Sequence, residues 1–192
     1  IDRNGEPLAV STPVDTVWAD PRKLAQHPQE FARLAKALDR DKNWLARRVT
    51  SNLDREFVYL VRHMRPADAA KVKALGISGV DTLREYRRYY PAGEVTGHLL
   101  GFTNVDDVGQ EGLELAFDQW LGGEPGIKRV MRDREGRTIE DIERIKAPRP
   151  GQDLRTSIDL RVQYLAYREL KAAVQANHAR SGSVVVIDIP TG

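Results

Sequence analysis

Apolar residues change their spacing several times along the chain, and each change marks an element. Val14, Thr16 and Trp18 alternate with their neighbours, the period of a strand. Between Pro28 and Leu38 the positions Phe31, Leu34, Ala35 and Leu38 fall three and four apart, which predicts an amphipathic helix. A shorter helix is expected across Trp44 to Val49. Phe57 to Val61 is β-branched and aromatic, hence a strand. Pro66 to Leu75 predicts a helix with Pro66 in its first turn and a stop at Gly76. Gly79 to Tyr90 reads as extended, closed by a turn at Tyr90-Pro91-Ala92-Gly93. Leu113, Ala116, Phe117, Trp120 and Leu121 form one helical stripe ended by Gly122-Gly123. Ile127 to Met131 and Thr138 to Ile145, joined through Glu135-Gly136, predict a hairpin.

Turn chemistry punctuates this pattern. Asn4-Gly5 near the start favours a tight hairpin turn, because both residues accept positive φ. Pro148-Arg149-Pro150-Gly151 is the strongest linker signal, since proline fixes φ and removes a donor. It divides the chain into 1–150 and 151–192. Beyond it, Thr156-Ser157-Ile158 is a short extended piece, and Asp159 is a good N-cap for a helix to about His178. Val162, Leu165, Ala166, Leu170, Ala173 and Val174 are the expected buried stripe of that helix. Ser183 to Ile189 is an almost continuous apolar run, which predicts a strand with neighbours on both sides, followed by a turn at Pro190-Thr191-Gly192. Such a strand without its sheet leaves backbone groups unpaired, so the last forty residues are expected to be poorly supported alone. The mixture of short strands and separate helices predicts an α+β fold.

Composition narrows the function classes. The chain has 192 residues, enough for one large or two small domains, and a net charge of only +2. Arginines stand beside acids, as in Asp133-Arg134-Glu135, so a solvated surface is the simpler reading than a polyanion-binding one. With no cysteine there is no disulfide, thiol chemistry or cysteine-ligated metal. No apolar run reaches the roughly 18–20 residues of a membrane span. The first residue is Ile1, not Met, and a targeting or anchoring segment is expected ahead of it.

Candidate chemistry is sparse. There is no Gly-x-Ser-x-Gly elbow and no phosphate-binding Gly-x-x-x-x-Gly-Lys. His27, His63, His98 and His178 are far apart. Glu94 and His98 have the spacing of two metal ligands on a helix, but Pro91 and the nearby glycines argue against a helix there. Asp106, Asp107, Glu111 and Glu114 form the densest acidic cluster and read as turn and capping residues. Arg84, Arg87 and Arg88 interleave with Tyr86, Tyr89 and Tyr90, a pattern that can bind nucleic acid. The near-neutral charge opposes that reading, and a strand whose arginines face carboxylates is expected instead. No catalytic, cofactor-binding or metal-binding residue is assigned.

The order of short motifs carries more. Asp2-Arg3-Asn4-Gly5 with Leu8-Ala9, then Arg88-Tyr89-Tyr90-Pro91-Ala92-Gly93 with His98 and Gly101, then Gly109-Gln110-Glu111-Gly112-Leu113-Glu114, resemble the three pedestal motifs of class B penicillin-binding proteins. Gly151-Gln152-Asp153-Leu154, Thr156-Ser157-Ile158-Asp159 with Gln163, and Gly182 to Asp188 resemble the start of the transpeptidase domain that follows. Within this family the chain looks most like the division-specific penicillin-binding protein 3 type of Gram-negative bacteria, with the elongation-specific type as the alternative.

The resemblance implies an elongated pedestal of small antiparallel sheets and helices over 1–150, and the first helix and strand of a transpeptidase domain over 151–192. It implies a parent D,D-transpeptidase that cross-links peptidoglycan at the septum through a serine trapped by β-lactams, anchored in the inner membrane with its bulk in the periplasm. The Ser-x-x-Lys, Ser-x-Asn and Lys-Thr-Gly motifs of that chemistry are absent here, so no activity is expected of this chain alone. The pedestal is expected to position the catalytic domain and to contact the septal glycan polymerase and other division proteins, without cofactor or nucleic acid. Arg3, Arg88 and Glu114 are expected to form a buried ion-pair network, because charged residues are seldom buried unpaired.

Overall fold

The computed structural model describes residues 1–132 and 138–190. In chain order the elements are β1 (Val10–Ala19), α1 (Pro21–Leu24), a 3₁₀ turn (Pro28–Glu30), α2 (Phe31–Ala37), α3 (Lys42–Thr50), β2 (Val58–Met64), α4 (Pro66–Lys73), β3 (Val80–Tyr89), α5 (Glu94–Leu100), α6 (Gly112–Ala116), α7 (Asp118–Leu121), β4 (Ile127–Arg132), β5 (Thr138–Lys146) and α8 (Leu160–Ala176). They group into two compact units: Ile1–Val10, Arg88–Gly123 and Pro150–Gly192 make one, and Ser11–Arg87 with Glu124–Arg149 make the other.

The second unit holds a three-stranded sheet in the order β2-β1-β3, with β1 and β2 antiparallel. Its core is the expected stripe of α2 meeting the sheet: Phe31, Leu34, Ala35 and Leu38 pack with Val17, Ala19, Leu24, Leu45, Val49, Leu60 and Val72. Full burial of each Leu here contributes about 1.5–3 kcal/mol. Asp20 and Asp41 cap α1 and α3 by accepting their first free amides, and Pro66 opens α4 where its missing N–H costs nothing. The expected alternation in β1 gives way to four consecutive buried residues, Val14 to Val17. The reason is polar cover: Thr16 Oγ1 donates to the Glu85 carboxylate, and Asp15 accepts from Arg84 at 2.6 Å. Asp15 pairs with Met64 and Val17 with Val61, so β2 bulges at Arg62-His63, where His63 adopts φ 56°. In the same unit β4 and β5 form the expected antiparallel hairpin; its predicted Glu135-Gly136 turn lies outside the described residues.

The first unit departs from expectation more often. The Asn4-Gly5 turn forms, with Gly5 at φ 91° and the Asp2 amide bonded to the Glu6 carbonyl at 2.8 Å. A helix does form at Glu94–Leu100, against the expectation from Pro91 and the glycines. Those residues delimit it: Gly93 enters at φ 52° and Gly101 leaves at φ 72°, left-handed angles that favour glycine. The stripe Leu113 to Leu121 is not one helix but two, broken at Phe117 (φ −118°, ψ 23°), beside Asp118, whose side chain takes the Gly109 amide at 2.7 Å.

Helix α8 forms with Asp159 as its N-cap, yet no residue in it is buried; Leu165 remains 49% exposed. The expected strand at Ser183 to Ile189 makes no strand pairing among the described residues, and Val185 and Ile189 stand 80% and 97% exposed. An extended apolar segment becomes a strand only when a neighbour supplies the ladder, and no neighbour does so among the described residues. Thr191 and Gly192 of the predicted final turn lie outside the described residues. No described helix is long and apolar enough to cross a membrane.

Candidate functional site

Most residues of the three motifs gather in the first unit, around two buried carboxylates. The first is Asp2. Its Oδ1 accepts from the Asn4 and Glu6 amides at 2.7 and 2.8 Å, and its Oδ2 from the Leu160 amide at 3.1 Å. The Asn4 side-chain amide bridges Asp2 to Asp159 Oδ2, at 3.4 and 3.0 Å. Backbone bonds run alongside: the Thr156 amide donates to the Ile1 carbonyl at 3.0 Å and the Arg3 amide to the Ile158 carbonyl at 2.8 Å. The start of the chain and the first turn of α8 therefore share one set of hydrogen bonds. Burial alone would push the Asp2 carboxyl up, but donation by the Leu160, Glu6 and Asn4 amides outweighs it and holds the group below the usual carboxylate range. The Asn4 amide, with the Arg161 and Val162 N–H groups, does the same for Asp159.

The second carboxylate is Glu114, on α6. Arg88 Nε donates to its Oε1 at 2.8 Å, with side-chain exposures of 19% and 6%. This is the expected arginine facing a carboxylate, and a charge buried this far needs such a partner. Nearby Tyr90 accepts from the Thr103 amide at 3.2 Å, and its hydroxyl is pushed up by burial and by the Glu114 charge. Glycine makes the close packing possible. A Cβ on Gly101 would fall 1.9 Å from the Glu111 carbonyl oxygen, and one on Gly109 2.1 Å from that of Glu114. Gly112 sits at φ 59° with the Leu99 carbonyl 2.5 Å from where its Cβ would be.

Three motif residues behave differently from expectation or stand apart. The Arg3 side chain is exposed, so the network expected to include it is the Arg88–Glu114 pair without it; Arg3 contributes its backbone, its carbonyl accepting from Arg155 at 2.6 Å. Pro91 and His98 are exposed. Although α5 places Glu94 and His98 one turn apart, Glu94 pairs with Lys171 of α8 at 2.9 Å, and the Lys171 ammonium holds its carboxyl below the usual range. No group of three potential metal ligands occurs among the described residues. Gln163 adds a further tie, donating to the Val95 carbonyl at 2.9 Å. Thr103, Asp118 and Lys171 escaped the sequence reading because their partners are backbone amides or distant side chains. Asp2 accepts from the Asn4, Glu6 and Leu160 amides and Glu114 from Arg88, an arrangement that fixes backbone geometry.

The fold resembles the penicillin-binding protein in the complex of PBP2 and MreC from Helicobacter pylori (TM-score 0.67, 21% identity, 89% of this chain and 36% of that one). It also resembles penicillin-binding protein 2X of Streptococcus thermophilus (TM-score 0.62, 19% identity, 91% and 30% covered). Residues 1–156 match the family model described as the penicillin-binding protein dimerisation domain, and the chain belongs to that family. Over its whole length the chain is 46% identical to the peptidoglycan D,D-transpeptidase FtsI of Escherichia coli and 44% identical to the probable peptidoglycan D,D-transpeptidase PbpC of Pseudomonas aeruginosa. It covers 33% and 34% of those relatives, so it spans about one third of their length.

Proposed function

We propose that residues 1–150 are the pedestal of a septal peptidoglycan D,D-transpeptidase and that 151–192 open its transpeptidase domain. The pedestal itself performs no chemistry; it positions the catalytic domain at the periplasmic face of the inner membrane and meets the glycan polymerase and other division proteins. The observation that carries this reading is the 46% identity to a D,D-transpeptidase across the whole chain, together with the family match over 1–156. The Asp2–Asn4–Asp159–Leu160 bonds support it physically, since they tie the opening motif to the helix where the next domain would begin. In this reading the motif residues Asp2, Asn4, Gly5, Arg88, Tyr90, Gly93, Gly101, Gly109, Gly112 and Glu114 are structural, and the exposed Arg3, Pro91 and His98 are partner contacts.

The test is a chimera. This segment replaces its counterpart in full-length Escherichia coli FtsI, in cells depleted of the native protein. Restored septation is expected, and folded, penicillin-labelled chimeras without septation would overturn the reading. Fluorescent penicillin should leave the 192-residue chain itself unlabelled, and a covalent serine adduct on it would show a self-contained enzyme instead.

A further inference from the structure

The three-stranded sheet has two edges of different character. The β2 edge is guarded. Arg48 lays its guanidinium on the Tyr59 carbonyl, with Nε and Nη2 at 3.3 and 3.2 Å, and the bulge at Arg62-His63 breaks the register of the strand. Arginine on a strand carbonyl and a bulge are both ways that proteins stop an edge from recruiting another strand. The outer edge of β3 is protected, if at all, by the charges on the strand itself. β3 runs without interruption over ten residues and pairs with no strand on its outer side among the described residues.

Charge and exposure on β3 are also uneven. Asp81 pairs with Lys73, Arg84 with Asp15 and Glu85 with Arg62, so these charges are already engaged. Arg87 is exposed and makes no ion pair among the described residues, and Leu83 and Tyr86 are 44% and 53% exposed. What is left on the strand is the exposed Arg87 on the face of Leu83, and the exposed Tyr86 on the other face.

We propose that the outer edge of β3, over Val80 to Arg87, accepts an added strand from another protein: an extended segment alternating apolar residues with carboxylates. Main-chain bonds would hold it; its apolar residues, all on one face, would cover Tyr86, and a carboxylate on the other face would meet Arg87. This inference does not depend on the pedestal reading, and either can fail alone.

The probe is a synthetic ten-residue peptide alternating Val or Ile with Glu or Thr, titrated up to millimolar concentration into the 192-residue chain. Binding is expected to slow amide exchange over Val80 to Arg87 and to leave Val58 to Met64 unchanged. Arg87→Glu, which removes no buried contact, is expected to weaken binding at least tenfold, and replacing Glu by Lys in the peptide to restore it. A peptide N-methylated at alternate residues keeps its side chains and is expected not to bind. The proposal is overturned if β3 exchange does not slow, if the N-methylated peptide binds equally, or if protection falls on β2. It is equally overturned if the chain dimerises through β3 without peptide, for then the edge belongs to a second copy.

Discussion

Helices α2 and α8 carry the same kind of apolar stripe and end differently. In α2, Phe31, Leu34 and Ala35 vanish into a core shared with the sheet and three neighbouring helices. In α8, more than twice as long, no residue is buried, and the helix is tied instead by polar bonds from Asp2, Gln163 and Lys171. Periodicity tells that a helix has an apolar face; it does not tell what covers that face. The first helix is stabilised by area removed from water, the second by a handful of directional bonds at its start and along one side.

The contrast predicts unequal costs. Leu34→Ala is expected to destabilise the chain by about 3–5 kcal/mol, and Leu165→Ala by under about 1 kcal/mol, in urea unfolding followed by tryptophan fluorescence. Equal costs would mean that α8 has a buried face after all. Glu114→Gln replaces the carboxylate that Arg88 donates to with a neutral amide and is expected to cost about 3 kcal/mol in the same measurement. A surface role for Glu114 would instead leave stability unchanged.

Acid should separate the two helices further. The Asp2 carboxyl titrates below its unfolded value, so its stabilising contribution is complete above about pH 4 and is lost as pH falls through the lower folded value. Amide exchange in the first turn of α8, corrected for intrinsic rates, should therefore accelerate in that window before the α2 core does. Asp2→Asn is expected to remove most of this pH dependence. Asp159 shifts the same way, so the double variant Asp2→Asn/Asp159→Asn should be flatter still. The smallest effect belongs to the tail: Val185→Thr should not change Tm measurably, because its side chain is 80% exposed.

What the sequence made legible follows the range of the interactions. α2, α3, α4 and the hairpin strands are set by local period and by caps such as Asp41, and they appear within a few residues of their expected bounds. α5 was misread because glycine lowers helix propensity in the interior, while at Gly93 and Gly101 it supplies the left-handed entry and exit. The motifs named Asp2 and Arg3 together, but adjacent residues face different ways. Only the fold, by bringing Leu160 to Asp2 across 158 positions, decides that the acid turns inward and the arginine out. The β3 edge was read as a basic, aromatic strand; that its charges are mostly spent on Asp15, Lys73 and Arg62 needs the sheet to be seen.

The bonds between the opening residues and 156–160 also set a timetable. Ile1 and Thr156 are 155 positions apart. At roughly 5–20 residues per second of synthesis, the opening turn waits on the order of 8–30 seconds for its partners. The three-stranded sheet and helices α1 to α4 need no such wait, because they all lie between Val10 and Tyr89. A nascent chain would thus fold the sheet between Val10 and Tyr89 before residues 1–6 close onto 156–160.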